Sequence, residues 1–254
     1  MAEARFAMLE DRGVLAVSGP DRRPFLQGLV TNDVDKVTPR AARYAALLTA
    51  QGKYLHDFII TEADESILLD AEADRLADLK RRLSLYRLRA KASLEERPDL
   101  CAAAVFGDGA LEALDLPPET GACRPYNSGL AFVDPRLTAL GARAILRRET
   151  AKAVLLDSGL AQTGVDAYDR LRLSLGVPDG SRDLIGHVAG GSVLLEQRGT
   201  FRWTQRAGMA QRGCEVRDGF AMRPGEHRAR SGLRGVLQHR RHVLCMRGVV
   251  NELR

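Results

Sequence analysis

The chain has 254 residues, 45% of them hydrophobic, and a formal net charge of +5. That is enough apolar material for one large or two modest cores, while no run approaches the ~18 apolar residues of a membrane span. The start Met1-Ala2-Glu3-Ala4-Arg5 lacks the order of a secretory signal, which makes the cytoplasm the expected compartment, and Cys101, Cys123, Cys214 and Cys245 are too widely spaced for a CxxC pair.

Arg12 to Ser18 is a short apolar run closed by Gly19-Pro20, hence a strand and a turn. Asp21 is the expected N-cap of a helix whose apolar face is Phe25, Leu26, Leu29 and Val30. Strands are expected over 43–49 and 54–61, joined by the turn Ala50-Gln51-Gly52-Lys53, and again over 66–70. Ala73, Leu76, Leu79, Lys80 and Leu83 recur at helical spacing and predict an amphipathic helix over 71–84. Arg87 to Leu94 alternates long cationic and apolar side chains, as a half-exposed strand does.

A second unit begins near Asp99, with strands over 101–106, 130–133 and 142–146 and a helix fragment over 111–114. A helix over 164–175 presents Val165, Tyr168, Leu171 and Leu175 on one face and stops at Gly176 and Pro178. Strands and helices mix without strict alternation, which points to an α+β fold rather than a doubly wound sheet. The expected units are 1–98, 99–196 and a distinct C-terminal segment, 197–254. In that segment no clear strand is expected before 241–246. Residues 198–254 carry thirteen Arg, no Lys and four acids, leaving the rest of the chain about −4. A basic tail can hold anions, but no aromatics are interleaved with the arginines, which argues against a nucleic-acid partner.

Several phrases in order resemble the YgfZ family of folate-binding proteins. They are Phe25-Leu26-Gln27-Gly28-Leu29-Val30-Thr31-Asn32-Asp33-Val34, Tyr44 to Lys53 running on to Asp57-Phe58, Tyr86-Arg87-Leu88-Arg89-Ala90-Lys91, Asp134-Pro135-Arg136, and Tyr168 through Arg172 to Gly180. The resemblance implies a fold like that of the glycine-cleavage T protein, an aminomethyltransferase. There, α+β units join a C-terminal β-barrel around a folate cavity. It implies tetrahydrofolate or a one-carbon derivative as ligand, and a role in iron–sulfur cluster assembly or repair beside the assembly proteins. Mitochondrial relatives serve the same pathway.

The family's K-G-C-[YF]-x-G-Q-E motif, followed by T-A-R and R-G, is not met in one register. Glu226 to Arg230 and Arg234-Gly235 fit its end and put Ala221 at the cysteine, whereas Arg212-Gly213-Cys214 fits its start seven residues upstream. Little chain follows to build the barrel. A neighbouring reading frame of Thr200 to Gln211 back-translates towards the family's L-x-G-x-x-W-x-K-G, so a frameshifted, non-functional product and true divergence both stay open.

Carried over by resemblance, Asp57 is the acid nearest the folate's reactive nitrogens, where a carboxylate accepts a hydrogen bond or orders a proton transfer. T proteins place a second acid just before it, and here that position is His56. Tyr44 matches a ring lying against the folate. Asp70 ends a strand where relatives point a polar side chain at the ligand, or else it caps the helix that follows. Arg89 and Lys91 could meet the folate carboxylates or line a solvated strand face. Thr31-Asn32-Asp33 reads foremost as structural. Cys214 is the family thiol in one register only. The five His form no metal-binding pattern, so no metal is expected. The other open function is a folate-dependent aminomethyltransferase.

Overall fold

The computed structural model describes residues 3–183 in full and the backbone of 191–196 and 200–205. The first two strands, β1 (Arg5–Leu9) and β2 (Arg12–Ser18), are separated by two residues yet enter different sheets. β2 is followed by α1 (Arg22–Gln27), β3 (Arg43–Leu48), β4 (Tyr54–Ala63), β5 (Ser66–Glu72), α2 (Leu76–Arg87) and β6 (Ser93–Glu96). Five of these strands form an antiparallel sheet in the order β3-β4-β5-β2-β6.

The chain continues through β7 (Leu100–Phe106), α3 (Ala110–Ala113), β8 (Cys123–Tyr126), β9 (Gly129–Val133), β10 (Ala142–Arg147), α4 (Ala151–Asp157), β11 (Ala161–Gln162), α5 (Val165–Ser174) and α6 (Gly180–Asp183). The second sheet runs β11-β1-β7-β10-β9-β8. β12 (Gly191–Glu196) and β13 (Thr200–Gln205) pair as a separate antiparallel hairpin.

Period-two alternation sorts side chains between two faces of each sheet. On the first sheet Leu15, Val17, Phe58, Ile60, Ile67 and Leu69 pack against Phe25 and Leu26 of α1 and Leu79 and Leu83 of α2. On the second, Cys101, Ala103, Val105, Ala131 and Ala144 pack against Ala110 of α3 and Ala151 and Leu155 of α4. The remaining faces meet each other, with Val14, Ala16, Tyr44, Ile59 and Leu68 against Leu130, Phe132 and Ile145. Tyr168 of α5 covers the β1–β7 side of that inner layer through Ala7, Ala102, Ala104 and Phe106.

The α+β expectation holds, but several boundaries move. β1 lies in the second sheet, not with the rest of 1–98. Asp21 does not cap α1: its carboxylate accepts the backbone N–H of Lys91 at 2.7 Å, tying the helix start to the loop before β6. α1 ends at Gln27, and Val30 forms a bridge to Leu47 of β3 instead of continuing the helix. The expected strand over 87–94 is mostly helix end and loop. α2 runs through Arg87, Leu88 reverses the chain with φ +40°, and pairing with β2 begins only at Ser93. β1, β8, α4 and β11 are short elements that the pattern did not signal, and β13 stands where no strand was expected. On α5 the buried pair is Tyr168 and Arg172, while Val165 is exposed.

Gly141 links the turn at Thr138–Leu140 to β10 with φ +82° and ψ −134°, and a Cβ there would sit 2.3 Å from the carbonyl oxygen of Val105. Gly159 also has positive φ, +79°, but nothing lies within 4 Å of its would-be Cβ. Gly159→Ala is therefore expected to cost about 1 kcal/mol and Gly141→Ala about 2–3 kcal/mol or more, read as the difference between two urea-unfolding curves.

Candidate functional site

The inner faces of both sheets carry charge as well as apolar packing. Arg12 and Val14 on β2, Leu68 and Asp70 on β5, Asp57 and Ile59 on β4 and Tyr44 on β3 point the same way, because each pair is two residues apart or opposed in register. Asp70 is fully buried. Its Oδ1 accepts from Arg12 Nε at 2.8 Å and its Oδ2 from Arg143 Nη1 at 2.6 Å, so one carboxylate joins a strand of each sheet. Arg12 Nη2 also donates to the Asp70 carbonyl at 2.5 Å.

Beside it, Asp134 takes Arg136 Nε at 2.9 Å and Nη2 at 2.7 Å. Arg143 Nε lies 3.4 Å from the same carboxylate, and Arg136 Nη2 reaches the Tyr168 hydroxyl at 3.1 Å. Asp179 sits 3.6 Å from Arg12 Nη1. Burial by itself would raise these carboxyls, but the neighbouring guanidinium charges outweigh it. Asp70 is held below its ordinary range by Arg12 and Arg143, Asp179 is lowered by Arg12 and Arg136, and Asp134 comes down to about 2 through Arg136 and Arg143.

Asp57, 3% exposed, sits at the edge of this ionic layer with a different shell. Tyr44 donates its hydroxyl to Oδ2 at 2.6 Å and Tyr54 to Oδ1 at 2.7 Å. Burial first, and the Asp57 charge second, push both phenols well above their ordinary range, so both stay protonated donors. The Arg136 guanidinium lies 5.7 Å over the Tyr44 ring. Tyr54 also lies 3.2 Å from Glu72 Oε1 at the end of β5. Glu72 accepts the backbone N–H of Ser181 at 2.6 Å and its hydroxyl at 2.5 Å. Each oxygen of an ionised carboxylate has two lone pairs, so Asp57 keeps acceptor capacity beyond its two tyrosines.

The structure thus brings Tyr44 and Asp57 together and places Asp70 one strand further on. Asp70 has both oxygens on arginines and no exposed surface, which makes it a bridging ion-pair carboxylate rather than a ligand-facing one. It caps no helix either, since β5 continues to Glu72. Arg89 and Lys91 are exposed in the loop after α2. Lys91 packs its carbonyl against Gly19, at the far end of β2. From Val14, opposite Asp70, to Ser18 is roughly 13 Å at ~3.3 Å per residue, so these two cations are not gathered at Asp57.

His56 points to the other face of β4, where its Nε2 meets Asp78 of α2 at 2.9 Å. The missing second acid therefore bears on helix packing rather than on the Asp57 side. Thr31 Oγ1 accepts the Ala46 N–H and Asn32 Nδ2 donates to the Tyr44 carbonyl, both at 2.8 Å, so this segment braces the edge strand β3. Cys214 lies outside the described residues. Cys123 is buried, and burial pushes its thiol up to about 12. Among the described residues no group of three or more His, Cys, Asp or Glu is placed to hold a metal ion.

Sequence reasoning missed Arg12, Arg143, Tyr54, Glu72 and Ser181. Arg143 did leave a signal, a lone charge in the apolar strand Ala142-Arg143-Ala144-Ile145. Tyr54 and Glu72 left none, because Tyr54 reads as an ordinary strand start and Glu72 falls in the helix expected over 71–84, whereas the strand runs on to Glu72.

No family model matches the chain. It is 33% identical over 196 residues to the human mitochondrial iron–sulfur cluster assembly factor IBA57, covering 71% of this chain and 53% of that protein. It is 31% identical over 204 residues to the mitochondrial IBA57 homologue of Neurospora crassa, covering 73% and 44%. The chain thus spans about half the length of the curated relatives it matches. Among solved structures it matches the glycine cleavage system aminomethyltransferase T from Bartonella henselae with a TM-score of 0.58 at 22% identity, over 70% of this chain and 52% of that one. The T-protein-like fold is therefore established. The cytoplasmic expectation is corrected: these relatives are mitochondrial proteins, and the lack of a secretory pattern at the N-terminus does not decide among non-secretory compartments.

Two outcomes test the ionic layer. Asp70, Asp134 and Asp179 have lowered folded-state values, so their contribution is full above the ordinary carboxylate value near 3.8 and is lost as pH falls towards about 2. Melting temperature recorded from pH 6 to pH 2 should hold above about pH 4–5 and fall steeply below. Arg143→Leu strips a buried carboxylate of one partner and should cost about 3–5 kcal/mol at neutral pH, while Arg143→Leu with Asp70→Leu recovers part of that loss.

Proposed function

We propose that this chain, a homologue of the IBA57 iron–sulfur cluster assembly factors with the fold of an aminomethyltransferase T protein, binds tetrahydrofolate or a one-carbon derivative at Tyr44 and Asp57 and supports iron–sulfur cluster assembly or repair. The observation that carries the reading is the buried Asp57 carboxylate, oriented by two phenols on the inner face of the first sheet. A reduced pterin presents N–H donors, and Asp57 retains lone pairs to accept them. A flat π ring such as that of Tyr44 suits a pterin or aminobenzoyl group, and the Arg136 guanidinium lies 5.7 Å over it. The donor set therefore fits the ligand.

Bound tetrahydrofolate would supply a carrier for a one-carbon unit. The chain's own part is to bind it, to orient it and to hold or accept a proton at an Asp57 oxygen. Assembly proteins are the proposed partners, through the homology to IBA57. The folate's glutamate carboxylates lie at the other end of the ligand from the pterin, and Arg89 and Lys91, exposed at the opposite end of β2, stay the proposed cations for them.

Tetrahydrofolate titrated into the full chain by anaerobic calorimetry should bind in the micromolar range. Asp57→Asn should weaken it about tenfold or more, since a charge-assisted hydrogen bond is replaced by a neutral one. Absence of binding by folded, monodisperse protein would overturn the ligand reading, and equal binding by Asp57→Asn would move the site elsewhere.

A further inference from the structure

The hydroxyl of Tyr54 stands between two carboxylates, 2.7 Å from Asp57 Oδ1 and 3.2 Å from Glu72 Oε1. A phenol has one hydrogen. With both acids ionised it serves only one of them, and the shorter contact assigns it to Asp57. Glu72 has another supply: Ser181 gives Oε1 its backbone N–H and Oε2 its hydroxyl, and Arg75 Nη1 lies 3.4 Å from Oε1. The fit is close. A Cβ at Gly180, whose φ is +47°, would stand 2.1 Å from Glu72 Oε1, so a side chain there would displace the Glu72 carboxylate from Ser181. Ser181 is 109 residues from Glu72 in the chain, so this contact exists only when the 178–183 segment is seated.

We propose that Tyr54 is a positioning residue that orients Asp57 with its single hydrogen, and that Ser181, by satisfying the competing acceptor Glu72, leaves that hydrogen to Asp57. Its functional meaning rests on Asp57 being the folate-facing acid; the wiring itself does not. When the 178–183 segment is seated, Asp57 has two phenol donors. When the segment lifts, Glu72 loses both Ser181 donors and draws the Tyr54 hydrogen, and Asp57 keeps Tyr44 alone. No bond to carbon is made or broken; one hydrogen bond changes acceptor. Among the described residues the other charged or titratable groups facing this chain include Tyr44 from β3, Arg12 from β2, Arg75 from the turn before α2 and Arg136 over the Tyr44 ring. Among the described residues Asp57 takes its side-chain hydrogen bonds from the two phenols, not from these arginines. The phenol itself stays protonated, since burial and the Asp57 charge oppose its ionisation.

The test is a pH titration of the full chain carrying ¹³C-carboxyl aspartate, with the Asp57 resonance identified by its loss in Asp57→Asn. Tyr54→Phe removes a donor from the anion, and the Asp57 midpoint should rise by about one pH unit or more. Ser181→Ala should raise it by less. Glu72→Gln removes a neighbouring negative charge and leaves only a weaker, neutral acceptor, and should lower it. A rise in both Tyr54→Phe and Ser181→Ala distinguishes this wiring from a merely structural contact, which would lower melting temperature without moving the midpoint. Should Tyr54→Phe fail to fold, the rise in Ser181→Ala decides the matter. An unmoved midpoint in the folded variants, or shifts of one sign, overturns the proposal. Midpoints that move as expected without any tetrahydrofolate binding would remove the folate reading and leave the wiring standing.

Discussion

Asp70 holds one arginine from its own sheet and one from the other. The apolar contacts of the inner layer, such as Ile59 and Val14 against Phe132 and Ile145, tolerate sliding because dispersion and water exclusion have little directionality. A fully buried carboxylate does not tolerate sliding. Its burial cost is offset only while Arg12 and Arg143 keep hydrogen-bond geometry. A small shift of one sheet over the other would lengthen the Arg143 contact and leave charge uncompensated in a dry layer. Asp134 and Arg136, with Tyr168 from α5, extend the same constraint along the second sheet.

The candidate site inherits its precision from that constraint. Tyr44, Ile59, Asp70 and Val14 form one row across four strands of the first sheet, and Asp57 lies two residues along β4 on the same face. What fixes Asp70 in space therefore fixes the row beside Asp57. The two acids are put to different uses by their shells. Arginines keep Asp70 an anion at neutral pH whose work is cohesion, whereas Asp57 is oriented by neutral phenols and retains acceptor capacity for something else.

Much of the first sheet was legible from local pattern. The turn at Gly52 and the alternation on either side place β3 and β4, and hence Tyr44 opposite Ile59 with Asp57 two residues before it on the same strand. The same alternation shows that His56 and Asp57 face opposite ways, a point that motif resemblance alone obscured. Legibility failed at Arg87 to Leu94. There, alternating cationic and apolar residues suit a helix end as well as a strand, and burial of Leu79 and Leu83 carries α2 forward while Leu88 turns outward.

By itself the sequence determined the α+β class and most long strands, because these depend on periodicity and turn chemistry within a few residues, whereas the candidacy of Tyr44 and Asp57 came from the family resemblance. Tertiary structure alone decided what each polar group does. Arg143 reaches Asp70 across 73 residues and Ser181 reaches Glu72 across 109, and no local pattern records which distant partner a buried charge will meet. Asp70 was credited with ligand contact and proved to be an ion-pair bridge. Tyr54, with nothing local to mark it, stands between two carboxylates with one hydrogen to give. The physical reason is that hydrogen bonds and ion pairs are short-ranged in space but blind to separation along the chain, so their pairing is known only once the sheets have been brought face to face.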